Sequence, residues 1–152
     1  MTSAEIESRA SHAMDLFRQG YNCAQSVVAA CADIYGLDQD LALRMAASFG
    51  GGIGRMRLTC GAACGMFILE GLRSGTTDGA DREGKAANYA AVQSLAEAFR
   101  QEHGSITCGE LLGLVPRQET SPIPAERNEA YYQKRPCVEM VGNAVRIFLR
   151  SL

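Results

Sequence analysis

A glycine-rich stretch is the sequence feature that most constrains how this chain folds. It reads GGGIGRMRLTCGAACG and runs from Gly50 to Gly65. Glycine adopts positive φ and allows close backbone approach, so the first half predicts an irregular loop. The loop lacks the GxGxxG and P-loop signatures, and we interpret it as a structural element that brings the chain close to neighbouring helix ends. Thr59 is a favourable N-cap, so a helix is predicted to begin at Cys60.

The rest of the chain shows apolar residues at helical rather than strand spacing. A length of 152 residues suits one domain. We therefore predict an all-α fold of about six helices in a single domain spanning residues 1–152, packed as an orthogonal or irregular bundle. The main helices are predicted over residues 3–19, 23–35, 39–48, 60–73 and 80–102, with a short helix from Cys108 and a last one from Pro136.

The segment between the last two helices differs in composition. Four prolines punctuate the polar region from Leu114 to Pro136. We predict a long loop here, with one helical turn near residues 125–131, and loops of this length are often functional.

Charge and hydropathy exclude several classes of function. The net charge is -2, without the basic patch that nucleic-acid binding requires. No apolar run approaches the ~18 residues of a membrane span. The N-terminus MTSAEIESRA has no apolar core of a signal peptide, which predicts a cytoplasmic protein.

Six cysteines in such a protein indicate sulfur chemistry. Stable disulfides are uncommon in a reducing compartment, where clustered thiols more often bind metal or take part in redox reactions. No CxxC pair is present among Cys23, Cys31, Cys60, Cys64, Cys108 and Cys137. Cys31 and Cys64 fall on apolar helix faces, and we interpret both as core residues.

The other four cysteines each follow a residue that favours a helix start. The pairs are Asn22-Cys23, Thr59-Cys60, Thr107-Cys108 and Pro136-Cys137. A helix N-terminus offers unpaired amide N–H groups and a partial positive charge, and both favour thiolate over thiol. We predict that the ends of four separate helices gather these thiols at one site.

Three hypotheses follow from such a site. First, Cys23, Cys60, Cys108 and Cys137 could ligate zinc or an iron–sulfur cluster. Second, cysteine pairs could cycle between dithiol and disulfide without metal, with Cys60 and Cys23 as candidate redox thiols and Cys60 as the attacking thiolate. An electron donor or acceptor protein, or a small thiol, would be the partner. Third, the chain could be a non-catalytic helical interaction module, with a homodimer formed through its alanine-rich long helix.

Three segments carry a resemblance to a known family. They are Asn22-Cys23-Ala24-Gln25-Ser26-Val27, the glycine loop leading into Cys60-Gly61-Ala62-Ala63-Cys64-Gly65, and the two isolated residues Cys108 and Cys137. In these the chain resembles the C_GCAxxG_C_C family of redox-active proteins. The resemblance implies that Cys23, Cys60, Cys108 and Cys137 are the family's cysteines and that Cys31 and Cys64 are additions. It implies no particular substrate.

Overall fold

Eight α-helices and two 3-10 segments are found in the computed structural model, which describes residues 1–114 and 121–152. The 3-10 segments Ala32–Tyr35 and Ala47–Phe49 follow α2 and α3. No strand occurs among the described residues, so the all-α prediction is confirmed, but the predicted count of about six helices was too low. The α-helices are Ser3–Arg18 (α1), Cys23–Cys31 (α2), Gln39–Ala46 (α3), Gly61–Ser74 (α4), Arg82–His103 (α5), Cys108–Leu111 (α6), Glu129–Lys134 (α7) and Cys137–Arg150 (α8).

One of the additional helices lies in the region before α8 that the sequence predicts as a long loop. The C-terminal part of this region folds into α7, a few residues after the helical turn predicted near residues 125–131. Asn128 caps this helix by accepting a hydrogen bond from the backbone N–H of Tyr131. Residues 115–120 of the predicted loop lie outside the described residues.

Local capping fixes most of the helix starts. Asn22 and Gln25 form a capping box that begins α2 at Cys23, as the sequence predicts. The predicted cap at Thr59 was wrong by one residue: Cys60 is the N-cap, and α4 begins at Gly61. Pro136 likewise is the N-cap of α8 rather than its first helical residue.

Helix α2 lies at the centre of the core and packs against α1, α3, α4 and α8. Helix α8 also packs along α1. The largest fully buried side chains include Phe17, Phe99 and Phe148, contributed by α1, α5 and α8. Helix α2 forms the centre of the bundle and α8 packs against it. Core packing therefore holds the N-termini of both helices in fixed positions.

Small residues let α4 approach α2 very closely. A Cβ atom added to Gly65 would lie only 2.7 Å from the Cβ of Val27. Val27 is fully buried, so its side chain has no free space to move into. Glycine at position 65 therefore permits the close packing of these two helices.

Gly65→Ala is expected to lower the free energy of unfolding by about 1–3 kcal/mol, because overpacking outweighs the gain in helix propensity. Gly71→Ala is the matched control, since Gly71 lies on the same helix and its added Cβ would meet nothing within 4 Å. We expect that control to raise stability by roughly 0.5–1 kcal/mol. Urea unfolding of both variants measures the difference, and equal stabilisation by the two would contradict this account.

The long helix α5 differs from its predicted packing. The helical spacing of its apolar residues predicts a buried face that includes Ala87, Ala90, Leu95 and Phe99. The buried residues are Leu95, Ala96 and Phe99, whereas Ala87 and Ala90 are exposed. Helix α5 thus contributes to the core mainly through its C-terminal half. None of the helices described here has the length and apolar content needed to span a bilayer.

Candidate functional site

A single cleft is lined by Cys23, Cys60, Cys108 and Cys137. Its volume is about 460 Å³, including its open mouth. The sulfur-bearing residues come from four separate helix starts, so the predicted gathering of these cysteines is confirmed. Neither Cys31 nor Cys64 lines the cleft.

A short backbone pairing places Cys60 beside Cys108. Thr59 and Thr107 form an isolated antiparallel bridge. The Cys60 N–H donates to the Ile106 carbonyl and the Cys108 N–H donates to the Leu58 carbonyl, each at 2.6 Å. These bonds tie the starts of α4 and α6 together, although the two helices are far apart in sequence.

The glycine loop forms the wall behind Cys108. Residues 51–55 all have positive φ, including the β-branched Ile53 at 65°. Left-handed backbone costs roughly 1–2 kcal/mol for each non-glycine residue, so packing must hold this conformation in place. A Cβ on Gly52 would lie 2.6 Å from the Cβ of Cys108, so only glycine fits there. The loop therefore has the predicted role of close approach to a helix end.

Cys23 and Cys137 form the more accessible side of the cleft. They are the first residues of α2 and α8, and both are half-buried. Cys60 and Cys108 are only 5% and 8% exposed. As whole residues, Cys23 and Cys137 are therefore more exposed than Cys60 and Cys108.

The Cys23 and Cys137 thiols are coupled electrostatically. Cys23 donates a hydrogen bond to Cys137, which lowers the pKa of Cys137 to about 7 despite its burial, with Arg135, Arg127 and Arg57 adding to the effect. The same hydrogen bond, together with burial, raises the pKa of Cys23. A charge-assisted hydrogen bond of this kind stabilises the accepting thiolate. At neutral pH Cys137 is therefore about half ionised, whereas Cys23 is a thiol.

The inner cysteines have a different electrostatic environment. Burial raises the pKa of Cys60 to about 12, although the N–H groups of Ala62 and Ala63 oppose that shift. Burial also raises the pKa of Cys108, while a guanidinium N–H of Arg57, 3.7 Å from its sulfur, opposes this. Both inner residues are therefore thiols at neutral pH.

Three arginines that line the cleft were not predicted as site residues. They are Arg57, which precedes Cys60, Arg127 from the loop before α7, and Arg135 two residues before Cys137. Arg127 donates to the carbonyls of Phe17 and Tyr21 and lies 4.1 Å above the ring of Phe17. The sequence KRPC around Cys137 was the available signal, since basic residues next to a cysteine favour its thiolate.

The four thiols do not form a metal site as they are arranged here. Among the described residues, no group of three or more His, Cys, Asp or Glu side chains lies in an arrangement that could hold a metal ion. The zinc or iron–sulfur site thus stays a prediction.

The two remaining cysteines are buried in the helical core. Cys31 is fully buried and burial raises its pKa to about 12. Cys64 lies one turn from Cys60, its thiol donates to the Thr59 carbonyl at 3.8 Å, and burial raises its pKa to about 11. Both environments agree with the interpretation of core residues.

Comparison with known proteins identifies the relatives of this chain. The family model described as "Putative redox-active protein (C_GCAxxG_C_C)" matches residues 21–150. The chain belongs to the C_GCAxxG_C_C family. An uncharacterized protein of Archaeoglobus fulgidus is 30% identical over 156 residues, covering 97% of this chain and 95% of the relative. No solved structure shows significant similarity. The region matched by the C_GCAxxG_C_C model includes all four cysteines of the cleft.

Proposed function

We propose that this protein is a thiol–disulfide oxidoreductase in which Cys137 attacks a substrate disulfide and Cys23 resolves the product. The observation that carries the proposal is the placement of Cys23 and Cys137 at two helix starts in one cleft, where Cys23 lowers the pKa of Cys137 to about 7. A thiol with a pKa close to the ambient pH is the most effective attacking group in such exchange. Membership of a family described as redox-active supports the same chemistry.

The reaction takes two steps. The Cys137 thiolate attacks one sulfur of the substrate, forming a mixed disulfide and releasing the other substrate half as a thiolate. The Cys23 sulfur then attacks the Cys137 sulfur, giving a Cys23–Cys137 disulfide. The second substrate half leaves as a thiol with the proton of Cys23. Two electrons pass to the substrate, and an external thiol or dithiol reductant returns the pair to the reduced form.

This assignment differs in one respect from the sequence-based hypothesis, which names Cys60 as the attacking thiolate. Burial and a pKa of about 12 make Cys60 a weaker candidate than Cys137. Cys23 remains a redox thiol in the proposal, as the resolving partner.

Mapping the first disulfide that forms tests the proposal. Reduced protein, prepared without air, is treated with one equivalent of a small disulfide and analysed by mass spectrometry of the alkylated peptides. We expect a Cys23–Cys137 disulfide, with the other four of the six cysteines still alkylated. A first disulfide that excludes Cys137 would overturn the assignment.

Metal content is measured on the same anaerobic sample. The proposal predicts that disulfide exchange continues after treatment with a chelator. Stoichiometric zinc or iron that is lost when Cys60 or Cys108 is replaced, together with loss of exchange, would favour the four-cysteine metal centre instead.

A further inference from the structure

We propose that the disulfide substrate of this site is a small anion, held by Arg57 and Arg135 beside Cys137. The inference rests on the proposed function and adds the chemical class of its substrate. It depends on two features of the cleft: the positive charge of its described lining, and the guanidinium groups of Arg57 and Arg135, which no described carboxylate pairs with.

The cleft is cationic and contains no acidic side chain among its described lining residues. Three arginines line it: Arg57, Arg127 and Arg135. The seven ion pairs found in residues 1–114 and 121–152 all use other arginines. Nearby Arg55 has its pKa lowered, first by burial and then by repulsion from Arg57 and Arg135. This part of the structure therefore concentrates positive charge that described carboxylates do not balance.

Two of the three guanidinium groups have donors that no oxygen acceptor in residues 1–114 and 121–152 occupies. Arg127 donates to two backbone carbonyls, so it mainly anchors the loop to α1. Among the described residues, the guanidinium of Arg57 makes only the weak contact of 3.7 Å to the sulfur of Cys108. Arg135 lies 5.1 Å from the ring centre of Tyr131, and its guanidinium has no hydrogen-bond acceptor among the described residues. A guanidinium group offers a planar set of donors that suits carboxylate or phosphate oxygens.

The two arginines and the attacking thiol lie around the same cleft. Arg57 and Arg135 line this cleft together with Cys137, and the charge of both acts on the Cys137 thiol. A small disulfide with acidic groups would thus have its charges near the arginines and its sulfur atoms near the thiolate.

Two chromogenic disulfides, one anionic and one neutral, test this inference. One is 5,5′-dithiobis(2-nitrobenzoate), which carries two carboxylates, and the other is 4,4′-dithiodipyridine, which is neutral. The rate constants of the thiolate phase are compared at about pH 9, where a group with a pKa of about 7 is fully ionised. We expect Arg135→Gln and Arg57→Gln each to lower the ratio of the anionic to the neutral rate constant by about tenfold. Both rate constants depend on the same thiolate, so a variant that changes its pKa or ionised fraction leaves their ratio unchanged.

Arg100→Gln is the matched control, because Arg100 is on α5, pairs only with Glu97 and does not line the cleft. It should leave the ratio unchanged. In the parent protein, added salt should lower the rate with the anionic probe more than with the neutral one. An unchanged ratio in both cleft variants would overturn the anionic substrate while leaving the oxidoreductase intact. Failure of Cys137 to react with either probe would instead overturn the proposed function.

Discussion

Cys137→Ala is expected to reduce the rate of disulfide reduction at neutral pH by about tenfold, with the residual reaction carried by Cys23. At pH 7 a group with a pKa of about 7 is half ionised, whereas Cys64, with a pKa of about 11, is ionised at roughly one part in 10⁴. The ionised fractions of the two thiols thus differ by roughly 5,000-fold. A more basic thiolate is a better nucleophile, which offsets only about 60-fold of that difference in the rate of attack. Burial of Cys64 and of the inner cysteines slows attack further. Cys23 therefore sets the residual rate, because loss of its hydrogen bond to Cys137 lowers the pKa of Cys23 while burial still keeps that pKa raised.

The rate is measured with a neutral chromogenic disulfide under single-turnover conditions. Cys31→Ala is the control that removes the same atoms from the chain, since Cys31 is remote from the cleft lining and fully buried. We expect it to lower thermal stability and to leave the fast reaction unchanged. A Cys137→Ala variant that is folded and still reacts at the parent rate would contradict the assignment of the attacking thiol.

The helical fold could be predicted from the sequence because its signals are local. Apolar spacing and capping residues such as Asn22 and Thr2 fixed the starts of α1 and α2. The buried face of α5 could not be predicted in the same way. Alanines occur on several sides of that helix, and only the position of its neighbours decides that Ala96 is buried while Ala87 and Ala90 are exposed.

The gathering of four cysteines could also be predicted, because each follows a residue that favours a helix start. Their chemical differences could not. The pKa of Cys137 depends on Cys23, which is over a hundred residues away in the chain, and on arginines from three separate segments. Burial is the main reason that the pKa of Cys60 is higher than that of Cys137. The burial of a thiol depends on how the helices pack, and the residues next to a cysteine in the sequence do not reveal it.

Replacing Cys23 separates its two proposed roles. Cys23→Ala removes both the hydrogen bond to Cys137 and the resolving sulfur, whereas Cys23→Ser retains a hydroxyl donor and loses only the sulfur. Without the donor, the pKa of Cys137 rises from about 7 toward the ordinary value for cysteine. Each unit of that rise lowers the thiolate fraction about tenfold at any pH below the midpoint. The pH midpoint of attack should therefore move upward in Cys23→Ala and stay near that of the parent in Cys23→Ser.

The stoichiometry of leaving groups reports the resolving step. The parent should release two thiols from each molecule of substrate in the fast phase, because the Cys23 sulfur displaces the second half. Both variants should release one and retain the other as a mixed disulfide on Cys137, detectable by its added mass. A midpoint that does not move in Cys23→Ala would show that the arginines alone hold the Cys137 thiolate. Release of two thiols by Cys23→Ser would show that another cysteine of the cleft resolves the intermediate, with Cys108 the first to be replaced next because Arg57 lies beside its sulfur.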